Sequence, residues 1–154
     1  MRVTDNACTV VCATKGYRAI AQMARQISRD TVSIQGTDEE WTTIRIRSGL
    51  HVLTFTSLVR IRPGDRFSKL VLGMYSFFRQ IDTFSVQAKQ TVLDTISQAN
   101  MLIGVVVEPG WSDREEDYVF EIAKCVDGMV FTGHAMLDSH GSILLDSAGK
   151  SDAP

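Results

Sequence analysis

Lys15, Tyr17, Glu108, Trp111 and His134 each follow a short apolar run that reads as a β-strand. Parallel sheets bind ligands beyond the carboxyl ends of their strands. If these runs lie parallel, Lys15, Tyr17, Glu108 and His134 converge on one pocket with a cation, a carboxylate and an imidazole. The first-turn amides after Gly110 could hold an anion there. Such a pocket suits a small molecule or nucleotide, and an enzyme could use it. The same residues are also ordinary loop residues, with Trp111 covering the edge of the core.

A second pattern pairs acid with tryptophan. Asp38, Glu39 and Glu40 precede Trp41, and Trp111 precedes Asp113, Glu115, Glu116 and Asp117. Aromatic anchors beside complementary charge mark protein interfaces. This makes Trp41, Glu39, Glu40, Trp111, Glu115 and Glu116 the candidate partner-binding set. Acid in a first helical turn is expected from the helix dipole alone. A third pattern is basic. Arg45, Arg47, Arg60 and Arg62 form two R-I-R triplets, and Arg66 and Lys69 follow. Alternate strand positions share a face, so Arg45 and Arg47 lie side by side. The stripe could meet phosphate or an acidic partner, or be a solvated strand face. Beyond Trp41 it carries few aromatics, which gives little support to stacking on single strands.

Local catalytic motifs are missing. The chain has no G-x-S-x-G elbow, P-loop or G-x-G-x-x-G. Cys8 and Cys12 lack zinc-knuckle spacing and a second cysteine pair. Their separation along an extended strand is too long for a disulfide. His134, Asp138 and His140 cluster around a turn, more a solvated hairpin tip than a metal site. The expectation is no catalytic residue, no metal and no cofactor.

Composition sets the frame. The 154 residues carry a net charge of −2, 44% hydrophobic and 22% charged residues. That is the size and balance of one globular domain. A general nucleic-acid coat would be more basic, so a nucleic-acid partner is not expected. No apolar stretch approaches a membrane span and no export leader is evident, so a cytoplasmic protein with reduced cysteines is expected.

The elements follow from periodicity. Strands are expected at 8–13, 31–35, 41–47, 50–59, 101–107 and 129–132, with two short ones at 135–138 and 142–146. Helices are expected at 17–28, 65–81, 85–99 and 113–126. Ser48-Gly49 marks a hairpin with Ile44 and Ile46 inward and Arg45 and Arg47 outward. Asp65 is a good N-cap, and Ser112 to Glu115 fits a capping box. Phe67, Leu70, Val71, Met74, Phe77, Phe78 and Ile81 trace one wide apolar stripe. Residues 8–36 and 102–133 share a strand, Gly-aromatic turn, helix, strand plan, which suits a right-handed βαβ crossover. The expected fold is α/β: one domain over 1–148, a mixed central sheet of about six strands with about four helices, and a frayed polar tail at 149–154.

Three stretches belong together: PGDRFSKLVLGMYSFF at 63–78, GVVVEPGW at 104–111, and VFTGHAMLDSHGSILLDS at 130–147. As a set they resemble the amino-terminal region of a group of uncharacterised bacterial proteins, a domain of unknown function of the toxin and immunity neighbourhood type. The resemblance covers roughly residues 50–150. It implies a bacterial scaffold and carries over no catalytic residue. The reading drawn here is a non-catalytic protein-binding domain, an immunity-type protein that neutralises a toxin partner by occlusion. A homodimer is compatible with it. The alternative is a small-molecule or nucleotide-binding domain using the strand-end loops.

Overall fold

The computed structural model describes residues 7–27 and 31–152. The chain begins with β1 (Ala7–Cys12), α1 (Tyr17–Ile27) and β2 (Thr31–Gly36). The hairpin β3 (Trp41–Ser48) and β4 (His51–Leu58) follows, then α2 (Arg66–Arg79) and α3 (Val86–Ser97). Next come β5 (Met101–Glu108), α4 (Asp113–Cys125), β6 (Met129–Phe131), β7 (Ala135–Leu137) and β8 (Ile143–Asp146). The described residues thus form eight strands, one at each of the eight stretches the periodicity marks, and four helices; the two short C-terminal strands join the sheet of about six that was expected. Together they make a single α/β domain with one central sheet and helices packed against it.

The strand order is β2-β3-β4-β5-β1-β6-β7-β8. Each neighbouring pair runs antiparallel. This corrects the expectation of adjacent parallel βαβ strands. β5 and β6 do point the same way, but β1 lies between them. β1 and β2 also point the same way, with β5, β4 and β3 between them. The helical connections are long enough to carry the chain across intervening strands, so strand-helix-strand spacing does not decide which strands touch.

The sheet has helices on both faces. α1 and α4 cover one face along most of its width, packing Ile20, Ala24, Val119 and Ile122 against Val10, Ile44, Ile46, Phe55, Ile103 and Val130. α2 and α3 cover only part of the other face. Phe67, Met74, Phe78, Val92 and Ile96 meet Val11, Leu102, Met136 and Leu145 there. Phe77, Phe78 and Phe131 form edge-on ring contacts in this second cluster. Pleat alternation assigns the residues to faces: Ile44 and Ile46 are buried while Arg45 and Arg47 are exposed, as expected. The stripe on α2 is narrower than expected, because Leu70 is 43% exposed. The helix overhangs the sheet at that point.

Local chemistry fixes the boundaries. The Asp65 carboxylate accepts backbone N–H bonds from Ile61, Arg62 and Ser68, capping α2 and closing the loop before it. The Asp138 carboxylate likewise accepts from the N–H groups of His140 and Ser142, making the β7–β8 turn. Gly36 ends β2 at φ +112°, where a Cβ would press on the Glu40 carbonyl at 2.5 Å. A register shift falls at the same place, between Gln35 and Gly36. The tail departs from expectation. Residues 149–152 are pinned, not frayed: the Thr83 hydroxyl donates to Gly149 O, and Asp152 bonds both backbone groups of Ile143.

Candidate functional site

The strand-end pocket does not form. β1 pairs antiparallel with β5, with Cys12 opposite Met101 and Ala7 opposite Val106. Lys15 therefore lies at the opposite end of the sheet from Glu108. Lys15 lines a small hollow with Arg60, Phe67, Ala99 and Asn100. Tyr17 stacks edge-on against Trp41, at 5.8 Å between ring centroids, and partial burial raises its hydroxyl pKa. Glu108 is exposed across from Val52, and His134 is exposed beyond β6. The four residues split two and two between opposite sheet ends, because the strands carrying them point in opposite directions.

The tryptophan and acid set is also divided. Trp41 is 1% exposed, and its indole N–H donates to Tyr17 O at 2.8 Å. It is a core residue of β3 and cannot anchor a partner from the surface. Glu115 and Glu116 are 2% and 3% exposed, so they are not surface contacts either. Their positions in the first turn of α4 point them back toward the sheet. Glu39 is exposed but lies 3.8 Å from Arg18. Asp38 makes a two-pronged bond to Arg25, which holds its carboxyl below the usual range. The acidic turn thus already has cations of its own chain beside it. Glu40 stays exposed and Trp111 half-buried, packed against the core.

The structure adds one group that the motif reading passed over. His51 Nδ1 lies 2.7 Å from Gly110 O. A carbonyl can only accept, so Nδ1 carries the proton and Nε2 of the neutral ring is left as an acceptor. Glu115 Oε1 is 3.8 Å from the same Nδ1. A nucleophilic triad needs an imidazole oriented by a carboxylate and a nucleophile beside it. Here Nδ1 is engaged by the Gly110 carbonyl, the carboxylate lies beyond hydrogen-bond distance, and the Ser112 hydroxyl donates to Glu115. The Ser112 backbone N–H also bonds that carboxylate, at 3.1 Å, completing the capping box of α4. The group braces the loop after β5 against the β3–β4 hairpin. Its sequence signal was the histidine that restarts the chain after Ser48-Gly49-Leu50.

The thiols fit the same picture. Cys8 and Cys12 are free and buried, and burial pushes each up to about 12. Cys125, half-buried, is raised to about 11. Thiols held protonated at neutral pH are poor nucleophiles. Among the described residues, no three histidines, cysteines or carboxylates gather as a metal site. Among them, too, no helix is long and apolar enough to cross a membrane.

What remains is a surface. One cross-strand row runs through all eight strands: Gln35, Thr43, Thr56, Gly104, Thr9, Phe131, Met136 and Leu145. From Phe131 onward the row lies under α2 and α3. From Gln35 to Gly104 no helix packs on it, although the edge of α2 overhangs Thr56 and Gly104. The neighbouring row on this open half is Ser33, Arg45, Thr54 and Val106, and the next is Thr31, Arg47, Val52 and Glu108. None of these side chains is aromatic. Arg45 and Arg47 are exposed, and among the described residues neither has a carboxylate within ion-pair distance. The groove where α2 overhangs this face, lined by Thr56, Gly104, Arg66 and Leu70, holds about 70 Å³, and a broader hollow over Thr31, Ser33, Arg45 and Arg47 holds about 290 Å³. Small-molecule pockets run from about 300 to 1,000 Å³. The open half is a platform for a surface, with Arg45, Arg47 and Arg66 against Glu108 as its charges. Comparison of the chain with protein-family models, curated proteins and solved structures found no match, so this platform is interpreted from its own residues.

Proposed function

We propose that this chain is a non-catalytic protein-binding domain whose partner brings an acidic surface to the open half of the sheet. The observation that supports this reading is the pair Arg45 and Arg47: on one face of β3 at alternate positions, exposed, and among the described residues without an ion-pair partner. Complementary charge of this kind sets orientation and association rate more than raw affinity. The change from the sequence expectation is in the sign of the partner. The acidic turn is matched by Arg18 and Arg25, whereas the basic face is left for something else to match. In its sharpest form the partner is a bacterial toxin, neutralised by occlusion, and the chain works in the cytoplasm. This form rests on the family resemblance of residues 50–150. A chain that acts as a homodimer belongs to the same reading.

The test is a tagged chain expressed at native level, with and without the double reversal Arg45→Glu, Arg47→Glu. The expected result is one stoichiometric protein that co-purifies with the unaltered chain and is lost with the folded double variant. Toxicity of that protein when expressed alone would support the immunity form. Retention of the partner by the double variant would sink the open-face reading. Capture of duplex nucleic acid instead of a protein would sink the protein-binding reading.

A further inference from the structure

The two edges of the sheet are managed differently. A sheet edge presents unpaired N–H and C=O groups that template pairing with another strand. At β8 the chain covers its own edge. Asp152 N–H donates to Ile143 O at 2.8 Å, Ile143 N–H donates to the Asp152 carboxylate, and Asp146 N–H donates to Lys150 O. At β2, nothing among the described residues pairs with the outer edge. The bulge at Gln35/Gly36 interrupts this edge at one end only, and the side-chain protections are missing from the rest. Residues 31–35 read TVSIQ, with no proline, no lysine and no charge.

We infer that β2 pairs with β2 of a second copy of this chain, antiparallel about a two-fold axis at Ser33. Self-complementarity favours a second copy over an unrelated strand. The bulge at Gln35/Gly36 leaves five regular residues, with Ser33 at their centre. An axis there sets Ser33 against Ser33, Thr31 against Gln35 and Val32 against Ile34. Val32 and Ile34 are half-buried and pack against the core on the α1 side of the sheet. Each would gain a cross-strand apolar neighbour from the other copy, while the hydroxyl and amide pairs stay on the open face. No charge opposes a like charge across this junction. The two sheets join into one, and the open faces become a single continuous surface. This pairing does not depend on the identity of any acidic partner.

Sedimentation equilibrium of the full chain across the micromolar range tests it, together with two variants. Ser33→Lys places two ammonium groups opposite each other at an exposed position; because Ser33 also faces Arg45 on β3, urea unfolding of the variant monomer is measured alongside. The substitution should weaken the dimer about fivefold with an unchanged circular dichroism spectrum. Ser33→Cys, in a Cys125→Ser background, should form a covalent dimer on mild oxidation, since opposed strand residues about 4.5–5.5 Å apart fall within disulfide reach. Thr31→Cys alone should not crosslink, but mixed with Gln35→Cys it should. A wild-type chain that stays monomeric would overturn the inference. So would a dimer that is unmoved by Ser33→Lys, or one that Ser33→Cys fails to crosslink.

Discussion

The covered and open halves of one sheet face share a backbone and differ in their side chains. On one cross-strand row, Phe131, Met136 and Leu145 lie under α2 and α3, while Gln35, Thr43 and Thr56 do not. The change occurs between Gly104 and Thr9, on the adjacent central strands β5 and β1. The other face shows no such break, because Ile44, Phe55, Ile103 and Val130 are all buried beneath α1 and α4. Antiparallel sheets tolerate one solvated face where parallel sheets do not. The mixed coverage here follows from the all-antiparallel pairing, and the chain has one helical hairpin to spend on a face eight strands wide.

Three experiments can break or sharpen this contrast. The largest effect belongs to the covered half. Phe78 is fully buried and stacks edge-on with Phe77 and Phe131. Phe78→Ala should lower unfolding free energy by about 3–5 kcal/mol in a urea titration. A loss below about 1 kcal/mol would mean that α2 is not the lid its packing describes.

A smaller effect tests how α2 is held in place. Backbone N–H bonds from Ile61 and Ser68 hold the Asp65 carboxyl well below the usual carboxylate range. A folded pKa below the unfolded one adds stability that is present above the unfolded pKa, about 4, and is lost as pH falls toward the folded value. The melting temperature of the parent chain should therefore fall across that acidic range more steeply than that of Asp65→Asn. Parallel pH profiles would assign the anchoring to other groups.

The smallest effect probes the open half. A Cβ at Gly104 would meet only the Thr56 carbonyl, at 3.9 Å, an ordinary contact. Gly104→Ala should leave the fold intact and stabilise it by up to about 0.5–1 kcal/mol, through lower backbone entropy in the unfolded chain. Destabilisation would show that something already occupies the space above Gly104.

Local structure was legible in the sequence, while the meeting of distant parts was not. Alternation over 41–47 and 50–59 gave the hairpin and its inward isoleucines, and Asp65 and Ser112 marked helix starts that the bonds bear out. Asp138 to Gly141 was rightly read as a turn. The strand-end pocket failed because pairing partners are chosen across the whole sheet, and spacing along the chain says nothing about β1 sliding between β5 and β6. Trp41 misled for a different reason. An acidic run beside a tryptophan looks the same whether the ring points out or, as here, begins a strand and turns inward to Tyr17. Glu115 was read as surface acid although the capping box already explained it. The polarity of the open half was present in Thr, Ser and Gln at alternate positions of β2 to β4, but only the register showed that they form one surface.

The strap of residues 146–152 over β8 has a consequence for assembly size. If both edges were bare, β2 of one molecule could add to β8 of the next, and that head-to-tail contact would repeat without end into a filament. With one edge sealed by its own chain, growth has a single port. A like-to-like contact through that port uses it up on both molecules, so the assembly saturates at two. If β2 pairs as inferred, the few bonds from residues 150–152 to β8 would limit the assembly to two copies.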